Sequence, residues 1–172
     1  WSFHGPGFPA HQELIDARNR VIARHPQTTF ICAHMADIPE DLAQLAAHLD
    51  RYPNMNVEIA ARISELGRQP YTARRFFLRY ADRILFGTDG VPPMSELIPH
   101  FQFLETWDEY FPYEDNPFPP QVLWNIYGIG LPDEVLRKVY HENACRLIPG
   151  VQSACDAYRE RRADSPAPME QN

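Results

Sequence analysis

The spacing of apolar and polar positions divides the chain into alternating helical and extended segments. From His11 to Arg24, Leu14, Ala17, Val21 and Ile22 recur at helical intervals, which predicts an amphipathic helix. His25-Pro26 stops it, because the residue before a proline is pushed out of the helical region. TTFICAHM, Thr28 to Met35, is β-branched and apolar and predicts a strand buried on both faces. Pro39-Glu40-Asp41 opens a second helix, with acids at the positive end of its dipole and a stripe of Leu42, Leu45, Ala46 and Leu49. After a turn at Tyr52-Pro53-Asn54 come a strand from Asn56 to Ala61, the loop RISELGRQP, a helix from Tyr71 to Tyr80 and a strand from Arg83 to Gly87. This order predicts an α/β fold with a parallel sheet.

The texture changes after Gly90. A helix is expected from about Ser95 to Tyr110, carrying Phe101, Phe103, Trp107 and Tyr110, followed by a proline-heavy segment, Phe111 to Gln121. The last helix starts at Pro132, places Leu136, Val139, Tyr140 and Leu147 at core spacing, and ends at Pro149-Gly150. The expected division is a domain over 1–150 and a polar, disordered tail over 151–172.

Composition narrows the classes. At 172 residues with 44% hydrophobic and 12% aromatic content, the chain can bury the core of one globular domain. A net charge of -7 argues against nucleic acid or an anionic membrane as partner, since both need a basic face. No apolar run approaches the roughly 20 residues of a membrane span. Cys32, Cys145 and Cys155 are odd in number and widely spaced, so they make neither a disulfide framework nor a paired zinc site. They read as small buried hydrophobes, and a cytoplasmic location is expected. The sequence begins at Trp1 without an initiator Met, which suggests a fragment or a processed product.

In parallel α/β folds ligands meet the carboxyl ends of the strands. His34 stands at the first, Arg62 just past the second and Asp89 at the third, with Glu58 inside the second strand. Imidazole and carboxylate hold catalytic cations or move protons near neutral pH, and a guanidinium beside them suits a substrate carboxylate. Singly, the histidine reads as a structural hydrogen-bonding residue and the aspartate as a helix cap. Val91-Pro92-Pro93, however, separates Asp89 from the next helix. Glu58 is either a buried partner or a side chain facing a barrel interior. His11, His25 and His48 read as solvent-facing and His100 and His141 as structural or exposed, while His4 lies in a loop within reach of the rim. Nucleotide-loop, serine-hydrolase elbow and HExxH patterns are absent, and the single lysine, Lys138, does not suit a phospho-accepting Asp89.

The segments TTFICAHMAD, NMNVEIAAR, DRILFGTDG and YHENACRLI, in this order and spacing, resemble the C-terminal half of an amidohydrolase-superfamily barrel. The resemblance runs from about Trp1 to Gly150. It is closest to the amidohydrolase-related family that includes aminocarboxymuconate-semialdehyde decarboxylase. It implies about strands six to eight of a (β/α)8 TIM barrel with a C-terminal helical extension. A whole barrel takes about 250 residues. It also implies a divalent metal, zinc first and manganese second, with Asp89 as metal ligand and proton carrier and His34 orienting the substrate or the attacking water. The family's HxH pair is not in this sequence, and a fifth-strand histidine is absent unless His4 stands in for it. Arg62 matches no family-wide motif; its expected role as a carboxylate clamp comes from position. The implied activity is hydrolysis of a C–N or C–O bond in a small, carboxylate-bearing substrate. Non-oxidative decarboxylation is the near alternative, and a truncated, inactive binding or assembly module a further one. A homo-oligomer through the proline-rich segment is also expected.

Overall fold

The computed structural model describes residues 5–114 and 122–163. Helix α1 (His11–Arg24) leads into strand β1 (Phe30–Cys32), a single turn α2 (Ala33–Ala36), helix α3 (Leu42–Arg51) and strand β2 (Met55–Glu58). The short helix α4 (Ile63–Leu66), helix α5 (Pro70–Arg79), a 3-10 turn (Ala81–Arg83) and strand β3 (Ile84–Leu85) follow. The three strands are parallel and stand in sequence order.

That order decides the architecture. When neighbouring parallel strands follow one another in sequence, crossovers of one hand place both connecting helices on one face. Accordingly Leu42, Leu45 and Leu49 of α3 and Ala73, Phe76 and Phe77 of α5 share one core with Met55, Val57, Ile59 and Ile84. Because strand side chains alternate, the opposite face carries Ile31, Asn56, Glu58 and Leu85, paired across the strands as Ile31 with Asn56 and Glu58 with Leu85. The helices thus cover one face of the sheet and leave the other partly polar, an arrangement consistent with part of a barrel wall.

Beyond the sheet come helix α6 (Met94–Glu105), the antiparallel pair β4 (Phe111–Pro112) and β5 (Asn125–Ile126), and helix α7 (Asp133–Arg137). A π-helical turn (Lys138–Glu142), helix α8 (Asn143–Leu147) and helix α9 (Val151–Ala163) complete the described residues. The π-turn and α8 take the outer edge of β3. Leu85 faces β2, its carbonyl accepting from Ile59 N at 3.2 Å, so Ile84 and Phe86 face away. Phe86 N donates to Val139 O at 2.8 Å, and the buried Asn143 amide donates to Ala81 O at 2.7 Å and Ile84 O at 2.8 Å.

Two expectations are corrected. The strands are shorter than the apolar runs, because the chain leaves the sheet in tight turns at the rim. The tail expected to be disordered from residue 151 is helical as far as Ala163. Its polar face is held by local pairs, Gln152 to Asp156 at 2.9 Å and Arg159 to Asp156 at 3.2 Å. Residues 164–172, His4 and 115–121 of the proline-rich segment lie outside the described residues. Among the described residues, no helix is long and apolar enough to cross a membrane.

Candidate functional site

Every strand of the sheet is followed by backbone in the left-handed region. His34, Met35, Ala36 and Asp37 have φ of 56°, 52°, 58° and 55°, Ala61 has 53° and Asp89 has 61°. The first four make a left-handed turn closed by Asp37 N to His34 O at 2.9 Å and Ile38 N to Met35 O at 3.2 Å. Such a conformation costs a residue with a side chain about 1–2 kcal/mol. Strain of this kind gathers where a site over-determines the backbone. Here it falls at the three strand ends, on the rim that carries His34 and Asp89.

Glu58 ties this rim together. Its Oε1 accepts from His34 N at 2.5 Å and its Oε2 from Ala60 N at 2.7 Å, with 17% of the side chain exposed. The carboxylate thus satisfies backbone donors from the ends of β1 and β2 at once. Two residues past β3 lies Gly87, where a Cβ would collide with Glu58 Oε2. A glycine leaves the carboxylate in place; a larger residue would have to displace it from its two backbone donors.

The same frame fixes His34. Its Nδ1 lies 2.8 Å from Ala60 O and 3.9 Å from Glu58 Oε1. A carbonyl only accepts, so Nδ1 carries the proton and the neutral ring has its lone pair at Nε2. His34 lines an open cleft of about 430 Å³ with Ile31, Glu58, Phe86, Thr88 and Asp89. Thr88 Oγ1 donates to Gly90 O at 2.9 Å, bracing the exposed loop that carries Asp89. Phe86 anchors the strand end, stacked on Phe101 at 6.0 Å and edge-on to Tyr140 at 5.4 Å and the buried His100 at 5.9 Å. Tyr140 OH donates to Glu105 Oε1 at 2.7 Å, and desolvation first, this bond second, pushes the phenol above its usual range.

His34 and Asp89 therefore line one cleft. Arg62 does not join them: its Nη1 donates to Ala61 O at 3.0 Å, its Nη2 lies 3.5 Å from Asp37 Oδ1, and it lines a separate cleft with His11, Asp37, Glu40 and Glu65. Glu58, whose direction the sequence left open, is the centre of the arrangement. Its signal was an acid inside an apolar strand with a glycine at the end of the next. His48, read as solvent-facing, is half-buried against Asn19 instead. Among the described residues, no group of three or more His, Cys, Asp or Glu is placed to hold a metal ion. What the cleft offers is one imidazole with a free Nε2, one exposed carboxylate at Asp89 and one part-buried carboxylate at Glu58 bonded to two backbone donors.

A family model described as Amidohydrolase matches residues 1–150. No curated protein and no solved structure matches the chain.

Proposed function

The chain belongs to the amidohydrolase family, and on that premise we propose that it is part of a metal-dependent hydrolase cleaving a C–N or C–O bond in a small, carboxylate-bearing substrate. The observation that carries this reading is His34, whose Nδ1 is committed to Ala60 O and whose ring shares a cleft with Asp89. In this reading β1, β2 and β3 are about the sixth, seventh and eighth strands of a TIM barrel. The one-sided winding of the helices and the polar inner face support that placement.

Members of the family typically bind divalent metals. A bound zinc or manganese ion supplies Lewis acidity, acidifying water or polarising a carbonyl. The described residues do not fit a complete metal site, because three donors do not converge. Asp89 is therefore proposed as a single donor, and the chemistry assigned to this chain rests on its own side chains. His34 Nε2 takes a proton from the attacking water or returns one to the leaving group. Glu58 holds the His34 backbone and the end of β2 in place. Arg62, on the turn after β2, serves a substrate carboxylate once its 3.5 Å pair with Asp37 opens.

The donor count favours a second reading, in which the chain by itself is a non-catalytic binding or assembly piece of the barrel. Assays of metal-supplemented protein separate the two. The substrates are carboxylate-bearing amides, esters and lactones, with aromatic and unsaturated acids tested for carbon dioxide release. Hydrolysis is expected, falling about 100-fold or more in His34→Asn and Asp89→Asn with the fold retained. Carbon dioxide release would move the assignment to a decarboxylase, and absence of turnover on every substrate would favour the second reading. Wild-type turnover by His34→Asn overturns its assignment.

A further inference from the structure

Cys145 on α8 and Cys155 on α9 bring their sulfurs to within 3.8 Å. Both thiols are free and half-buried. The pair exists only because α9 folds back on α8. Ile148 ends the first helix and Gly150, at φ 86°, reverses the chain. Val151 N to Ile148 O at 3.3 Å and Ala154 N to Gly150 O at 3.1 Å hold the turn.

Small reagents have a route to both sulfurs. Cys145 opens onto a cleft of about 330 Å³ shared with Arg146 and Gln152. Cys155 opens onto one of about 430 Å³ shared with Tyr158. His141 and Arg159 line both. The third cysteine, Cys32, lies on β1, remote in sequence from this pair. A disulfide bond is about 2.05 Å long, so 3.8 Å is the separation of two thiols in van der Waals contact, with the helices already juxtaposed.

We propose that Cys145 and Cys155 are a reversible dithiol–disulfide pair that staples α9 to α8 on exposure to a low-molecular-weight disulfide such as oxidised glutathione. One thiolate attacks a sulfur of the small disulfide, breaking its S–S bond and expelling one thiol. The other thiolate then attacks the protein sulfur of the mixed disulfide and expels the second thiol. The protein gives up two electrons and two protons, and the small disulfide becomes two thiols. In a reducing compartment the pair rests as the dithiol. Once formed, the bond ties α9 to the helix whose Asn143 anchors β3, the strand that runs out to Asp89.

The test equilibrates the folded protein in glutathione redox buffers, alkylates the remaining thiols, and reads intact mass and peptide maps. The expected product has lost two hydrogens, carries a Cys145–Cys155 cross-link and an alkylated Cys32, and reverts with dithiothreitol. Cys145→Ser and Cys155→Ser should each stall as a glutathione adduct on the remaining cysteine of the pair. Stable adducts on both cysteines of the wild type would overturn the proposal. So would cross-links to Cys32 at comparable yield, or three alkylated thiols in the most oxidising buffer.

Discussion

The carboxylate of Glu58 occupies the space that a side chain at Gly87 would need. The two residues stand on neighbouring strand ends, and the acid reaches past both to hold His34 N and Ala60 N. One part-buried carboxylate thus bonds the ends of two strands and packs against the end of the third, where a glycine leaves it room.

Gly87→Ala should therefore lower stability by about 1–3 kcal/mol, the usual cost of forcing atoms into a filled site. Glu58→Ala should also destabilise, since it strands two backbone donors. The discriminating measurement is the double variant. With the carboxylate gone the methyl at 87 has room, so urea unfolding should show a coupling of about 0.5–3 kcal/mol between the two changes. Additive losses would mean that the contact does not govern the rim.

Ala61→Gly should raise stability. Relief of a left-handed φ of 53° is worth about 1–2 kcal/mol, against about 0.5–1 kcal/mol for the greater freedom of glycine in the unfolded chain. A gain near 1 kcal/mol corresponds to roughly 2–4 °C in Tm for a chain of this size. Ala36→Gly is the control. Its φ of 58° is relieved equally, but its methyl is 1% exposed, and losing it returns about 0.8 kcal/mol. Thermal unfolding should rank Ala61→Gly above Ala36→Gly; the reverse order would refute backbone strain as the cause.

These strained residues also explain what could be read from the sequence. The order of strands and helices was legible because apolar periodicity reports burial, and burial follows the helix-covered face that Val57, Phe77 and Leu45 share. His34 and Asp89 fell on one rim because parallel strands point their ends the same way. The strand lengths were not legible. A left-handed turn through His-Met-Ala-Asp carries no glycine to announce it, so the apolar run read straight through. The pairing of Arg62 with Asp37 was hidden for the same reason, since that turn brings Asp37 to its guanidinium. The direction of Glu58 depended on its parity with Gly87 across a register that only pairing defines. The α9 helix escaped because its stability is local and polar, which hydrophobic periodicity does not detect.

His48 should make stability fall as the solution is acidified. Desolvation lowers its imidazole below the ordinary value, Arg18 adds in the same direction and Asp16 opposes. The Asn19 amide faces Nε2 at 3.3 Å; with that nitrogen as acceptor the proton sits on Nδ1, which is buried without a hydrogen-bond partner among the described residues. The unfolded chain then binds its proton at higher pH than the folded one. The stability due to neutral His48 is present above the unfolded value near 6.5 and is lost as pH falls through the folded value. One such group can contribute at most about 1.4 kcal/mol per pH unit in that window, less here because the ring is only half-buried. Urea midpoints from about pH 7.5 to 5.5 should slope downward for the wild type and less steeply for His48→Gln. Equal slopes would remove His48 as the cause.

Asn143 holds the outer edge of β3 without a strand. Both protons of its amide are used, on Ala81 O and Ile84 O, and its own oxygen accepts from Arg146 Nη2 at 3.2 Å, at 1% exposure. Leu and Asp match its shape and separate the chemistry. Asn143→Leu loses both neutral hydrogen bonds and the acceptor for Arg146, and leaves two carbonyls unserved, about 2–3 kcal/mol or more in all. Asn143→Asp cannot donate when ionised and sets a negative charge against the same two carbonyl oxygens, so at neutral pH it should be less stable than Leu. Acidification restores one O–H donor, so the deficit of the Asp variant relative to Leu should narrow as pH falls. Chemical denaturation of the three proteins across pH reads this order directly. If Asp is as stable as Asn at neutral pH, something other than the amide protons holds β3, and the anchoring of the strand that leads to Asp89 must be sought in the Phe86–Val139 backbone bond instead.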